Sequence, residues 1–96
     1  MRFEWDETKS DTNLAERGFG FDFAALVFDG PTLEAADDRH DYDEDRVNAI
    51  GSVDGFILAV TYTDRDFEDL GPIRRIISAR LANRKERSRW LSFASP

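Results

Sequence analysis

The chain contains no cysteine. That excludes a disulfide scaffold, a thiolate zinc site and a cysteine nucleophile together. Its one histidine, His40, also excludes a multi-histidine metal site or a two-histidine nuclease within a single chain. Long apolar runs are missing as well. Runs such as Phe56 to Val60 fall far short of the ~20 residues a membrane span needs. Met1-Arg2-Phe3-Glu4-Trp5-Asp6 has no apolar h-region, so no secretory signal is expected, and the reading is a soluble, cytoplasmic protein without a membrane partner. There is no internal repeat, low-complexity segment or linker.

What is present is one domain's worth of chain, 96 residues, read as a single domain over 1–96. Hydrophobic residues make up 41% and aromatics 12%, enough for a modest core and too much for a disordered tail. The net charge of −7 is unevenly spread. Residues 1–72 carry 6 Lys or Arg against 19 Asp or Glu, whereas residues 73–96 carry 7 against the single acid Glu86. An acidic body argues against non-specific coating of nucleic acid, because phosphate affinity is mostly charge neutralisation. A basic block on such a body suits one local cleft, or a docking site for a charged partner.

Phe3-Glu4-Trp5 alternates as a short strand does. Asp6 is placed to cap a helix running to about Arg17, with Gly18 as its C′ residue; its apolar stripe is thin, which puts it at the surface. A second helix is expected over Phe21–Phe28, capped by Asp22 and stopped by Gly30-Pro31. Strands follow at 32–36 and 46–50, then a turn marked by Gly51 and Asp54-Gly55. Phe56–Thr63 reads as a central strand, Asp64–Gly71 as an acidic loop and Ile73–Ala79 as a last strand. Asn83-Arg84-Lys85-Glu86 has the form of a capping box that opens a final helix. The expectation is α+β: N-terminal helices, an antiparallel sheet of three to four strands, and a C-terminal helix.

Several features bear on chemistry. Arg74, Arg75, Arg80, Arg84, Lys85, Arg87 and Arg89 form a basic tail in which Arg80, Arg84 and Arg87 could surround one pocket. Guanidinium forks there suit a phosphodiester, while a solvated basic face or pairing with the acidic body explains the same pattern. The acidic stretches 37–45 and 64–69 lack calcium-loop spacing and read as solvated loop charge rather than a metal site. His40, among several carboxylates that favour its charged form, is a candidate acid or base, as are Glu4 and Glu44. Trp5 and Trp90 suit either base stacking or a core.

Phe3-Glu4-Trp5-Asp6, Lys9, Asn13, Gly18 and the 21–24 segment resemble the N-terminal pattern of the BrnT family of type II toxins. The resemblance continues through Asp37-x-x-His40 and Glu44-Asp45-Arg46 to Ile50-Gly51. It ends with Arg74-x-Ile76-Ile77-Ser78-Ala79-Arg80-x-Ala82, Asn83 and Glu86-Arg87, its most specific part. It implies a RelE-like fold, a ribonuclease activity that halts translation, and neutralisation by a BrnA-like ribbon-helix-helix antitoxin. That antitoxin would supply the contacts to operator DNA.

The sequence departs from the family where Glu16-Arg17-Gly18 replaces a Lys-His-Gly pattern, so no histidine serves there. Trp90 stands near a common tyrosine, which leaves Tyr62 or Tyr42 as the available phenols, and Asp66–Gly71 forms a long acidic insert. On this reading Arg80 binds the phosphate, assisted by Arg46 or Arg84, and Glu44 or His40 accepts a proton. Lys9, Arg74, Arg84 and Arg87 add phosphate contacts, Trp90 and Leu91 anchor the antitoxin, and RNA is cut without metal or other cofactor. The alternative is a non-catalytic, toxin-like module that only docks an antitoxin or regulator.

Overall fold

The computed structural model describes residues 1–37 and 44–95. Strand β1 (Arg2–Trp5) leads into helices α1 (Glu7–Arg17) and α2 (Phe21–Ala25), the latter tightening into a 3₁₀ turn at Leu26–Asp29. Then come β2 (Leu33–Ala36), β3 (Val47–Val53), β4 (Phe56–Phe67), β5 (Gly71–Leu81) and α3 (Arg84–Ala94). The five strands lie in the order β1-β5-β4-β3-β2. The architecture is α+β as expected, but with five strands rather than three or four. The sheet is not purely antiparallel either, since β1 runs parallel to β5. That pairing joins the two ends of the chain, and no local pattern announces so distant a contact.

Local chemistry sets most of the element ends. The Asp6 carboxylate accepts the Lys9 N–H at 3.1 Å, and Gly18 closes α1 at φ +88°, its N–H reaching Leu14 O. Asp22 does not cap α2. Gly20 holds the cap position, and the Phe21 N–H is satisfied by Ser10 Oγ of α1 at 2.9 Å. Asn13 donates to Phe19 O, so the buried side of α1 is made of two polar residues that pin the α1–α2 corner. This explains its thin apolar stripe. Asp54 and Gly55, at φ +50° and +85°, form the hairpin turn between β3 and β4, while Gly51 lies inside β3.

The expected acidic loop at 64–71 is mostly strand. β4 runs on to Phe67 and pairs with β5 through Gly71, leaving Glu68–Leu70 as the turn. Opposite charges across the two strands support the extension. Asp64 faces Arg74 and takes a two-pronged hydrogen bond from it, both distances 2.8 Å.

Helices α1 and α2 cover one face of the sheet. Phe21, Ala24 and Val27 pack there on Leu58, Val60, Ile76 and Ala79, ringed by Phe3, Trp5, Phe19, Phe23 and Phe28. Among the described residues the other face is covered only at one end, where α3 lies on β3 and β4 with Trp90 buried.

Candidate active site

A single irregularity decides which arginines share a face. Thr61 pairs with Ser78 but Tyr62 pairs with Ile76, so Ile77 is an extra residue bulged out of β5. Without the bulge Ile76, Ser78 and Arg80 would point the same way. With it, Ile76 and Ala79 both enter the core beneath the helices, while Ser78 and Arg80 turn to the open face. Arg74, on the far side of the bulge, belongs to the helix-covered face. Its guanidinium lies 3.9 Å from the Tyr62 ring centre and 4.7 Å from that of Phe28.

On the open face the register builds two rows. Asn48, Thr61 and Ser78 stand side by side on β3, β4 and β5, and Ile50, Ala59 and Arg80 form the next row. Above them opens a cavity of about 480 Å³, roofed at one side by Glu86 and Arg89 of α3. Thr61 Oγ1 donates to Asn48 Oδ1 at 2.7 Å, which fixes the amide so that its NH₂ stays available to donate.

Arg80 is held in place by the start of α3. Asn83 caps that helix in a complete capping box, its side chain accepting the Glu86 N–H while the Glu86 carboxylate accepts the Asn83 N–H. The same carboxylate takes both terminal nitrogens of Arg80, at 2.6 and 3.0 Å. The hydrogen bonds from Arg80 hold Glu86 below the usual carboxylate range, against partial desolvation. Even so paired, the Arg80 side chain keeps 43% of its surface accessible, so an anion can still reach it.

A second charge cluster continues along this face. Alternation along β4 puts Thr61, Thr63 and Arg65 on one side, and Arg46 stands two residues before Asn48. Glu44 accepts from Arg46 Nε at 3.1 Å and from Arg65 at 3.3 Å. Partial burial pushes its carboxyl up, but hydrogen bonds from Arg65 and Arg46 outweigh that and hold it below its ordinary value. Glu44 is therefore ionised at neutral pH.

Of the residues singled out from sequence, Arg80, Arg46 and Glu44 are thus brought to one face. Lys9 lines a separate cavity on the other side of β5, which Arg80 also lines. Arg84 is exposed in the first turn of α3, and Arg87 turns back to donate to Ala82 O at 2.8 Å; neither lines the groove. Leu91 is exposed and Trp90 is buried, its ring tilted on Phe93. His40 and Tyr42 lie outside the described residues. Sequence reasoning assigns no site role to Asn48, Thr61 or Ser78. Their signal was the strand alternation itself, legible only once the partner rows are known.

The arrangement defines an α+β protein whose sheet face opposite α1 and α2, capped at one end by α3, presents arginines and neutral hydroxyl and amide groups to a groove. The model of the BrnT family, ribonuclease toxins of type II toxin–antitoxin systems, matches residues 5–86, and the chain belongs to that family. No curated protein matches the chain. Among the described residues no helix is long and apolar enough to cross a membrane.

Proposed function

We propose that this chain is a cytoplasmic endoribonuclease toxin, a single domain of RelE-like fold over residues 1–96, that cuts RNA without a metal and so stops translation. A BrnA-like ribbon-helix-helix antitoxin neutralises it and carries the contacts to operator DNA. The observation that supports this reading is the Arg80 fork, fixed by Glu86 beside Arg89 over the Asn48–Thr61–Ser78 row.

In this reading the ribose 2′-oxygen bonds to the adjacent phosphorus and the bond to the 5′-oxygen breaks, leaving a 2′,3′-cyclic phosphate. Substrate supplies the nucleophile, so neither bound water nor a cofactor is required. Arg80 and Arg89 meet the charge that builds on the non-bridging oxygens, with Arg46 assisting. Glu44 or His40 accepts the 2′-hydroxyl proton, and the leaving 5′-oxygen takes one from solvent. Asn48 and Ser78 offer neutral hydrogen bonds to the sugar or base. Lys9, Arg84 and Arg87 add positive charge along the path of the strand. We assign no RNA contact to Arg74, which Asp64 and the Tyr62 and Phe28 rings engage on the other face.

The test is cleavage of total cellular RNA in excess EDTA. The wild type is expected to leave 2′,3′-cyclic ends, and Arg80→Ala to lose ~10²–10³ in rate, the loss that follows removal of one transition-state donor. Full activity in a folded Arg80→Ala chain would overturn the assignment.

A further inference from the structure

β1 ends at Trp5, opposite Ile76, and the chain then turns away into α1. Residues 77–81 of β5 therefore pair with β4 on one side and have no strand beside them on the other, among the described residues. Every second residue there points a backbone N–H and C=O outward. A groove of about 490 Å³ runs between this edge and α1, and its charged lining is Lys9, Arg17 and Arg80 against Glu16 alone. On a chain of net charge −7 that is a locally basic channel. Arg17 also lines a neighbouring groove of about 540 Å³, an apolar trough formed by Leu14, Phe19, Phe23, Phe56 and Leu81. Leu14, Phe56 and Leu81 are each more than half exposed. Natural sheets normally cover or charge such an edge.

We propose that this edge receives an extended segment of the antitoxin, which adds to the sheet as a sixth strand alongside residues 77–81. The segment carries an apolar anchor for the Leu14–Phe56–Leu81 trough and carboxylates for Lys9, Arg17 and Arg80. Three observations select a peptide. The edge offers alternating donors and acceptors, which an extended chain matches and a phosphate backbone, having acceptors only, does not. The trough beside it rewards apolar side chains. The basic channel selects acidic ones. The edge also explains neutralisation, because Arg80 lines both this groove and the open-face cavity. A carboxylate seated on it from the β5 edge excludes the RNA phosphate. This last step rests on the proposed role of Arg80; the docking itself does not.

The experiment uses the full chain and the purified product of the reading frame adjacent to its gene, in the absence of RNA. Hydrogen exchange at the amides of residues 77–81 is expected to slow at least about tenfold in the complex. Leu14→Asp and Leu81→Asp, at exposed positions that leave the fold intact, are expected to raise Kd by about tenfold or more. Leu70→Asp, at an exposed position in the β4–β5 turn, leaves Kd unchanged. Protection confined to α3 or β2, or wild-type affinity in both aspartate variants, overturns the proposal. So does protection of 77–81 by a 2′-deoxy-substituted RNA and not by the antitoxin, which assigns the groove to nucleic acid. Because binding is read without cleavage, an inactive Arg80 variant and a failed docking surface give separate results.

Discussion

The Arg80–Glu86 fork joins the catalytic proposal to the stability of α3, and Glu86→Gln separates the two contributions. Gln keeps the shape and can still accept the Asn83 N–H, so the capping box survives in part. It loses the charge that draws both Arg80 nitrogens to 2.6 and 3.0 Å. A hydrogen bond to a charged group contributes ~1.5–3 kcal/mol, but the Arg80 side chain is 43% exposed and water replaces much of this. About 1 kcal/mol remains for the fork, and loss of a negative charge from the first turn of α3 adds ~0.5 kcal/mol. The expected cost at pH 7 is thus about 1.5 kcal/mol, or a fall of about 6–12 °C in Tm for a domain of this size.

The pH dependence follows from the direction of the shift. Glu86 titrates below its ordinary value of 4.5 in the folded chain, so its contribution is fully present above that value and is lost as pH falls through the folded one. Paired urea melts of wild type and Glu86→Gln at pH 7 and pH 3 measure it. The gap should be near 1.5 kcal/mol at pH 7 and shrink as the pH falls below 4.5 and Glu86 becomes protonated. A gap below about 0.3 kcal/mol at pH 7, or one that persists undiminished at pH 3, refutes this account of the fork.

Two further expectations rest on packing and burial. A Cβ at Gly51 would stand 2.9 Å from Val27 Cβ and 3.2 Å from Thr32 Cγ2, both close to backbone, so Gly51→Ala should overpack the β3–helix contact and cost about 1–3 kcal/mol in a denaturant melt. Burial, then the hydrogen bond to Glu34 at 2.7 Å, pushes the Tyr62 phenol well above its usual value of 10.0. Its contribution is present below that value and lost only as pH rises through the folded one. Ultraviolet titration should therefore show Tyr62 still protonated at pH 11, and Tyr62→Phe should cost about 1 kcal/mol by removing the donor to Glu34 Oε1, Thr32 still donating to Oε2.

Much of the local structure could be read along the chain because its causes are local. Asp6 and Gly18 bound α1, Asp54-Gly55 makes the hairpin, and Asn83 with Glu86 opens α3, each through contacts within a few residues. The basic C-terminal block, and the family pattern that ends in Ile76-Ile77-Ser78-Ala79-Arg80, likewise pointed to Arg80. The failures have equally specific causes. Asp22 is a good capping residue, but the helix begins earlier: Gly20 holds the cap position, and its C=O accepts the Ala24 N–H that Asp22 would have served. Asp64–Phe67 looks like acidic loop because charge disfavours a strand, yet Arg74 lies directly across and neutralises Asp64.

What the sequence determined by itself is therefore the set of elements, the acidic body with its basic end, and the family. Those follow from period, capping and residue type, all of which act over a few positions. Only the tertiary structure decided which arginines work together. Arg74 and Arg80 have the same parity along β5 and would share a face on a regular strand, but the bulge at Ile77 sends them to opposite sides of the sheet. The parallel pairing of β1 stops at Ile76 and, among the described residues, leaves the next five residues of β5 with no strand on that side. Both outcomes depend on register between segments far apart in the chain, and register is fixed by how a whole face packs.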